Sequence, residues 1–229
     1  ATTPLAPEAF EAMVPLLRDQ FANPHSAHRL GRAAAAQVEV AREEISRLLP
    51  GGGRLIFTSG ATEALNIAIQ GAPAGDIVTI ATEHAAVLDT VEALGRAGRT
   101  VTILPVGRDG LVDMDAAAQA IGPGVALVAA MLVNNEIGVI QPVAALADLA
   151  HEAGAITLVD GAQSVPHLKV DMQTLDADFY AFSAHKMCGP TGIGVLWARK
   201  EILEATEPVL GGGDMIKEVT KAGATWNDL

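Results

Sequence analysis

Val125-Ala126-Leu127-Val128-Ala129-Ala130-Met131-Leu132-Val133 is an unbroken apolar run that leads straight into Asn134-Asn135-Glu136-Ile137-Gly138. A strand with one wet face alternates apolar and polar side chains. A continuous run reads instead as a strand covered on both faces, the habit of parallel sheets. It is the longest strongly apolar stretch of the chain, and it falls well short of the roughly 20 residues that span a bilayer. Six further strand-like segments flank it: Leu55–Thr58, Ile77–Ala81, Val101–Pro105, Ile156–Asp160, Phe179–Ser183 and Ile193–Ala198. Helix-like segments cover Glu8–Phe21 and Ser26–Leu49 ahead of the first strand, then Thr62–Gln70, Ala85–Gly98, Met114–Ile121 and Pro142–Ala153. Ser26 is the expected N-cap of the second helix, and Gly71, Gly98 and Gly154 are the expected stops of later ones. The βαβα rhythm predicts an α/β fold, a mostly parallel central sheet with helices on both faces.

Composition narrows the function classes. Half of the 229 residues are apolar, enough to build a core and too many for a disordered chain. Acidic residues outnumber basic ones 27 to 15, for a formal charge of −12. A protein that grips nucleic acid needs the opposite balance to displace phosphate counterions, so neither a nucleic-acid nor an anionic-membrane partner is expected. No signal peptide is visible. The single cysteine, Cys188, forms no internal disulfide and builds no Cys-based metal site, which points to a reducing, cytoplasmic compartment. Its own reading is a small buried packing residue. His25 and His28 lie three apart with no third ligand beside them, so no metal site is expected.

Sheets of this kind bind ligands beyond the carboxyl ends of their strands, so the residues just after each strand carry the functional reading. Thr58-Ser59-Gly60-Ala61-Thr62-Glu63 leads from the first strand into a helix. It reads either as an anion cradle of free N–H groups at a helix N-terminus or as an ordinary helix cap. Thr82-Glu83-His84 follows the second strand and offers an imidazole, although an isolated histidine is more often a surface residue. Asn134 and Asn135 follow the fourth strand and read either as ligand-binding amides or as an Asn-rich turn. Asp160 closes the fifth strand, where a carboxylate at the end of an apolar run is costly unless paired; a cationic ligand nitrogen is a fitting partner, a strand-end turn the plain alternative. Lys186 follows the sixth strand, near apolar walls, where an amine loses its proton readily and becomes a nucleophile. The other four lysines, at positions 169, 200, 217 and 221, sit in polar surroundings. Together these residues match the needs of pyridoxal phosphate: a lysine amine, an acid for the pyridinium nitrogen and an anion site.

The segments ATTPLAP, FANPHSAHRLGR, TSGATEALN, TEHAAV, VNNEIGVIQP, VDGAQSV and FSAHKMCGPTGIGVLW run through nearly the whole chain in one order. In this the chain resembles the class V aminotransferase-fold enzymes, and within them the cysteine desulfurases. The first half is similar to the NifS/IscS-type group. From VDGAQSV onward, with GGGDMIKEV, it is more similar to the SufS-type group. The resemblance implies the fold of type I pyridoxal-phosphate enzymes. It makes residues 1–10 the N-terminal segment of a small domain and residues 11–229 the cofactor-binding large domain. The rest of the small domain would then lie outside this sequence, which reads as truncated at both ends.

The resemblance also implies roles. Lys186 would hold the cofactor covalently, Asp160 would keep its ring nitrogen protonated, and His84 would stack on the ring and help move protons. Ala61, Thr62, Ser183 and His185 would bind the phosphate, and Asn135 and Gln163 would contact the ring hydroxyl side or the substrate. The implied activity turns L-cysteine into L-alanine and passes sulfur through an enzyme persulfide to an acceptor or scaffold protein, as in iron–sulfur cluster assembly. A homodimer is implied as well. The family's persulfide cysteine and carboxylate-binding arginine lie downstream of the lysine, and Cys188 stands where relatives often carry Tyr. Alternatives on the same fold are a selenocysteine lyase, a kynureninase-like hydrolase and a small aminotransferase. A catalytically incomplete cofactor-binding or scaffold fragment is a reading of another class.

Overall fold

The computed structural model describes residues 2–210 with their side chains, together with the backbone of Ile216–Thr220 and Gly223–Trp226. The Gly211–Met215 part of the GGGDMIKEV segment lies outside the described residues. Two helices come first, α1 (Pro7–Arg18) and α2 (Arg29–Leu48). Strands and helices then alternate: β1 (Arg54–Thr58), α3 (Ala61–Gln70), β2 (Asp76–Ile80), α4 (Ala85–Arg96), β3 (Val101–Leu104), α5 (Met114–Ala120), β4 (Val125–Met131), α6 (Val143–Glu152) and β5 (Ile156–Asp160). The chain continues through α7 (Met172–Leu175), β6 (Phe179–Ser183), β7 (Gly194–Ala198) and α8 (Lys200–Ala205), and two further strands, β8 (Ile216–Thr220) and β9 (Gly223–Trp226), pair antiparallel with each other.

The first seven strands form one sheet in the order β1-β7-β6-β5-β4-β2-β3. The stretch β6-β5-β4-β2-β3 is parallel throughout, and β7 runs antiparallel to both β6 and β1. The reason for the reversal is connection length. A parallel return needs a crossover of a dozen residues or more, usually through a helix. Between Ser183 and Gly194 the chain has only a 3₁₀ turn, Ala184–Lys186, and a loop, so it must turn back.

Alternate side chains of each strand enter opposite cores. Val128 and Ala130 of β4, Val159 of β5 and Tyr180 and Phe182 of β6 pack with Val143, Leu146 and Ala150 of α6. Leu127 and Ala129, Leu158, and Phe179 and Ala181 face the other way, against Leu65 and Ile69 of α3 and Val87 and Val91 of α4. The unbroken apolar runs are thus explained by burial on both faces. The two leading helices pack more loosely. No residue of α1 is buried, and Gly31 is the one buried residue of α2. Between these helices and the sheet lies an apolar groove of about 1050 Å³, lined by Leu16, Phe21, Ile45, Phe57, Val165 and Met187 among others.

Two local expectations change. The N-cap of α2 is His28, whose Nδ1 accepts from the Gly31 N–H at 3.2 Å, and not Ser26. Helices α4 and α6 do end just before Gly98 and Gly154, and Gly71 closes α3. No helix among the described residues is long and apolar enough to cross a membrane.

Candidate active site

The carboxyl ends of β1, β2, β4, β5 and β6 open on one edge of the sheet, and the turn after each contributes to one constellation. Helix α3 begins at Ala61 with no side-chain cap, on Gly60. The first N–H groups of a helix have no partner within it. Here the Ala61 N–H donates to Ser183 Oγ at 2.7 Å, which ties the mouth of α3 to the end of β6. The hydroxyl of Thr58 donates to the Gly60 carbonyl at 2.9 Å and shapes the turn. The cradle is closely backed by β7: a Cβ on Gly194 would lie 2.5 Å from Gly60 backbone atoms, so any side chain there would push the turn outward. The Ser59 N–H donates to Glu63 Oε2 at 2.6 Å, and the Ser59 side chain together with this N–H holds the Glu63 carboxyl below its usual range.

His84 caps α4. Its Nδ1 accepts from the Ala86 N–H at 3.0 Å, so the neutral ring carries its proton on Nε2. The ring is exposed. Asp160, the last residue of β5, is 4% exposed, and its Oδ1 accepts a single backbone N–H, that of Ala162, at 2.9 Å. Burial raises its pKa above the ordinary carboxylate value. The Ala162 N–H and the charges of Lys186 and His84 work against that rise. Lys186 and His84 therefore each lie near enough to bear on Asp160. Just beyond Asp160, a Cβ on Gly161 would fall 2.0 Å from the Tyr180 ring. Tyr180 itself is fully buried, with its hydroxyl 2.6 Å from Ser164 Oγ, and burial pushes its phenol up.

The loop that carries Lys186 is clasped from outside by the N-terminal segment. The Thr3 N–H and hydroxyl both donate to the His185 carbonyl, the Cys188 N–H donates to Thr3 Oγ1 at 2.7 Å, and the Ala6 N–H donates to the Cys188 carbonyl at 2.9 Å. Cys188 is exposed and takes a positive φ of 61°. It is a turn residue on the loop, and the expectation of a buried packing cysteine is corrected. Lys186 and His185 are half-buried.

The structure brings Asp160, Lys186 and His84 together, and it joins Ala61 directly to Ser183. Thr62 lies exposed in the first turn of α3, beside the cradle. The two neighbouring asparagines part company. Asn134 is buried and structural: its Nδ2 donates to the Thr82 carbonyl at 2.8 Å, and its Oδ1 accepts from the N–H groups of Glu136 and Ile137. Asn135 is exposed and Gln163 half-buried; neither side chain has a hydrogen-bond partner within the described residues. Glu83, passed over at the level of sequence, is buried beside this group, with Oε1 accepting from the Met131 N–H at 2.6 Å. Its position between a threonine and a histidine in a turn gave no sign of burial. No cluster of three metal-ligating side chains occurs among the described residues.

Comparison with known proteins points one way. Residues 1–229 match the aminotransferase class-V family. The chain is 44% identical over 222 residues to the cysteine desulfurase IscS of Methylobacillus flagellatus, an alignment that covers 93% of this chain and 55% of that protein. It is similar to the apo structure of a cysteine desulfurase from Thermococcus onnurineus NA1, with a TM-score of 0.87 and 34% identity over 99% of this chain and 59% of the other. It is equally similar to a structure of SspA in complex with cysteine, with a TM-score of 0.87 and 34% identity over 93% of this chain and 63% of that one. The chain spans about half the length of the curated relatives it matches.

Proposed function

Because the chain belongs to the class-V aminotransferase family, we propose that it is the cofactor-bearing part of a pyridoxal-phosphate-dependent cysteine desulfurase. The class-V aminotransferases and cysteine desulfurases depend on pyridoxal 5'-phosphate. The residues of this site fit that group. An uncapped helix end with a hydroxyl beside it suits a phosphate. A buried carboxyl with one N–H donor suits a cationic ring nitrogen, and a half-buried lysine near it suits an aldehyde. The observation that carries the reading is Asp160, a carboxyl held at the end of an apolar strand within reach of Lys186 and His84.

Lys186 would hold the cofactor through its amine. Asp160 would keep the ring nitrogen protonated, since a buried carboxylate with few donors gains most from an adjacent cation. The backbone of Ala61 and Thr62, with Ser183 and His185, would bind the phosphate. The exposed ring of His84, fixed through Nδ1, leaves Nε2 to hold or move a proton over the site. Asn135 and Gln163, whose polar groups are otherwise unengaged, would meet the ring hydroxyl side or the substrate. Bound there, the cofactor supplies an electron sink for bonds at the α-carbon of an amino acid.

The substrate in this reading is L-cysteine, converted to L-alanine, with its sulfur passed on as a persulfide to an acceptor or scaffold protein for iron–sulfur cluster assembly. The similarity to a cysteine-bound structure supports the substrate. We read the protein as a cytoplasmic homodimer. Residues 1–10 belong in this reading to a small domain and 11–229 to the large one, although α1 runs across that division.

The test is chemical. The protein with added pyridoxal phosphate should yield, after borohydride reduction, a peptide that carries the cofactor mass on Lys186. Lys186→Ala should yield none. A trapped adduct elsewhere in that variant overturns the assignment.

A further inference from the structure

Glu83 is 7% exposed, and it is the one residue described with a buried side-chain oxygen, Oε2, that has no hydrogen-bond partner. Its other oxygen accepts from the N–H of Met131, the residue that pairs with Asp160 across β4 and β5. The turn that carries it is bolted to the end of β4 a second time, through Asn134 Nδ2 and the Thr82 carbonyl. No arginine, lysine or histidine forms an ion pair with Glu83 among the described residues.

Resting on the reading of Asp160 as the partner of a ring nitrogen, we propose that Glu83 is a positioning residue. It sits as an uncharged carboxylic acid next to Asp160 and leaves Asp160 the sole anion at the ends of β4 and β5. The groups that bear on the pair decide where the charge lies. Asp160 has the Ala162 N–H and the charge of Lys186 on its side. Glu83 has the Met131 N–H alone, and faces Asp160. Two carboxylates in one desolvated place do not both ionise, so the proton settles on the group without a cation. Burial accordingly pushes Glu83 well above its ordinary value, and the Asp160 charge adds to the rise. The consequence is functional. An ionised Glu83 would raise the proton affinity of Asp160, and Asp160 would then compete for the proton that a ring nitrogen must keep. The same bond to Met131 also fixes the turn from which His84 projects.

Infrared spectroscopy of the protein at neutral pH tests this without any cofactor. A protonated-carboxyl stretch is expected, retained in Asp160→Asn and lost in Glu83→Gln. Absence of the band in the native sequence, or its survival in Glu83→Gln, overturns the proposal. In the pyridoxal-phosphate-loaded protein, Glu83→Gln should leave the pH midpoint of the visible cofactor band unmoved, because one neutral group replaces another. A displaced midpoint overturns it as well. Glu83→Ala, which strands the Met131 N–H, should lower the melting temperature whichever group holds the proton, and so separates packing from charge. Failure of the native protein to bind pyridoxal phosphate would overturn the reading of the site, while the infrared result decides the state of Glu83 independently.

Discussion

Buried acids occur at both ends of β5, and the two ends treat them in opposite ways. At the entering end Asp178 is 3% exposed and saturated with partners: His151 Nε2 at 2.8 Å, the Thr157 N–H at 2.7 Å, and Arg199 Nε at 3.3 Å. Asp176 closes the network against His151 Nδ1 at 2.9 Å and against Arg199. At the leaving end, about 10 Å further along the strand, Asp160 has one N–H and Glu83 has one N–H and a stranded oxygen. The first arrangement joins α6, β5, α7 and β7. The second leaves charge unsatisfied where a ligand can supply what is missing. Buried charge that the fold completes itself is scaffold, and buried charge left incomplete marks a site.

The sharpest way to break this comparison is to make the same substitution at both ends. Asp178→Asn removes the anion between two cations and should cost about 3 kcal/mol or more. Asp160→Asn keeps an acceptor for Ala162 and removes a charge that folding has to desolvate, so the protein without cofactor should melt at the same temperature or higher. Denaturant melts of the two variants decide, and a comparable loss at Asp160 would erase the distinction.

A smaller effect concerns pH. Burial works against a charge on His151, but hydrogen bonds and charges from Asp178 and then Asp176 outweigh it and raise its value above 6.5. A raised folded value means that the stability from this group is fully present below about pH 6.5 and is lost as the pH climbs through the folded value. Unfolding curves across that window should show this fall, and His151→Gln should flatten it.

The smallest effect lies at the mouth of α3. Glu63→Gln should cost less than about 1 kcal/mol, since the group is a surface charge at a helix N-terminus. The same change should strengthen the binding of inorganic phosphate, because it removes an anion from the cradle. Calorimetric titration with phosphate reads the sign.

Much of the architecture could be read from residues alone. The central strands announced themselves because apolar runs such as Val125–Met131 are buried on both faces, while the edge strands β1 and β3 are only partly buried. Helices α7 and α8 were missed: stretches of 4 and 6 residues are too short to show a helical period. The reversal of β7 left a usable trace, the short span between Ser183 and Gly194. Asp160 and Lys186 stood out by position, since each follows an apolar strand. Glu83 did not, because its burial depends on Met131, distant in sequence and adjacent only once β2 and β4 pair. Cys188 misled for a related reason. Its type suggests the interior, while the glycines and proline that follow it belong to a surface turn.

The clasp of Thr3 and Ala6 on the lysine loop has a mechanical consequence. Tension along the chain ahead of Thr3 is delivered to the His185 and Cys188 backbone and not to the sheet. A pull on Thr3 is felt first by the backbone on either side of Lys186.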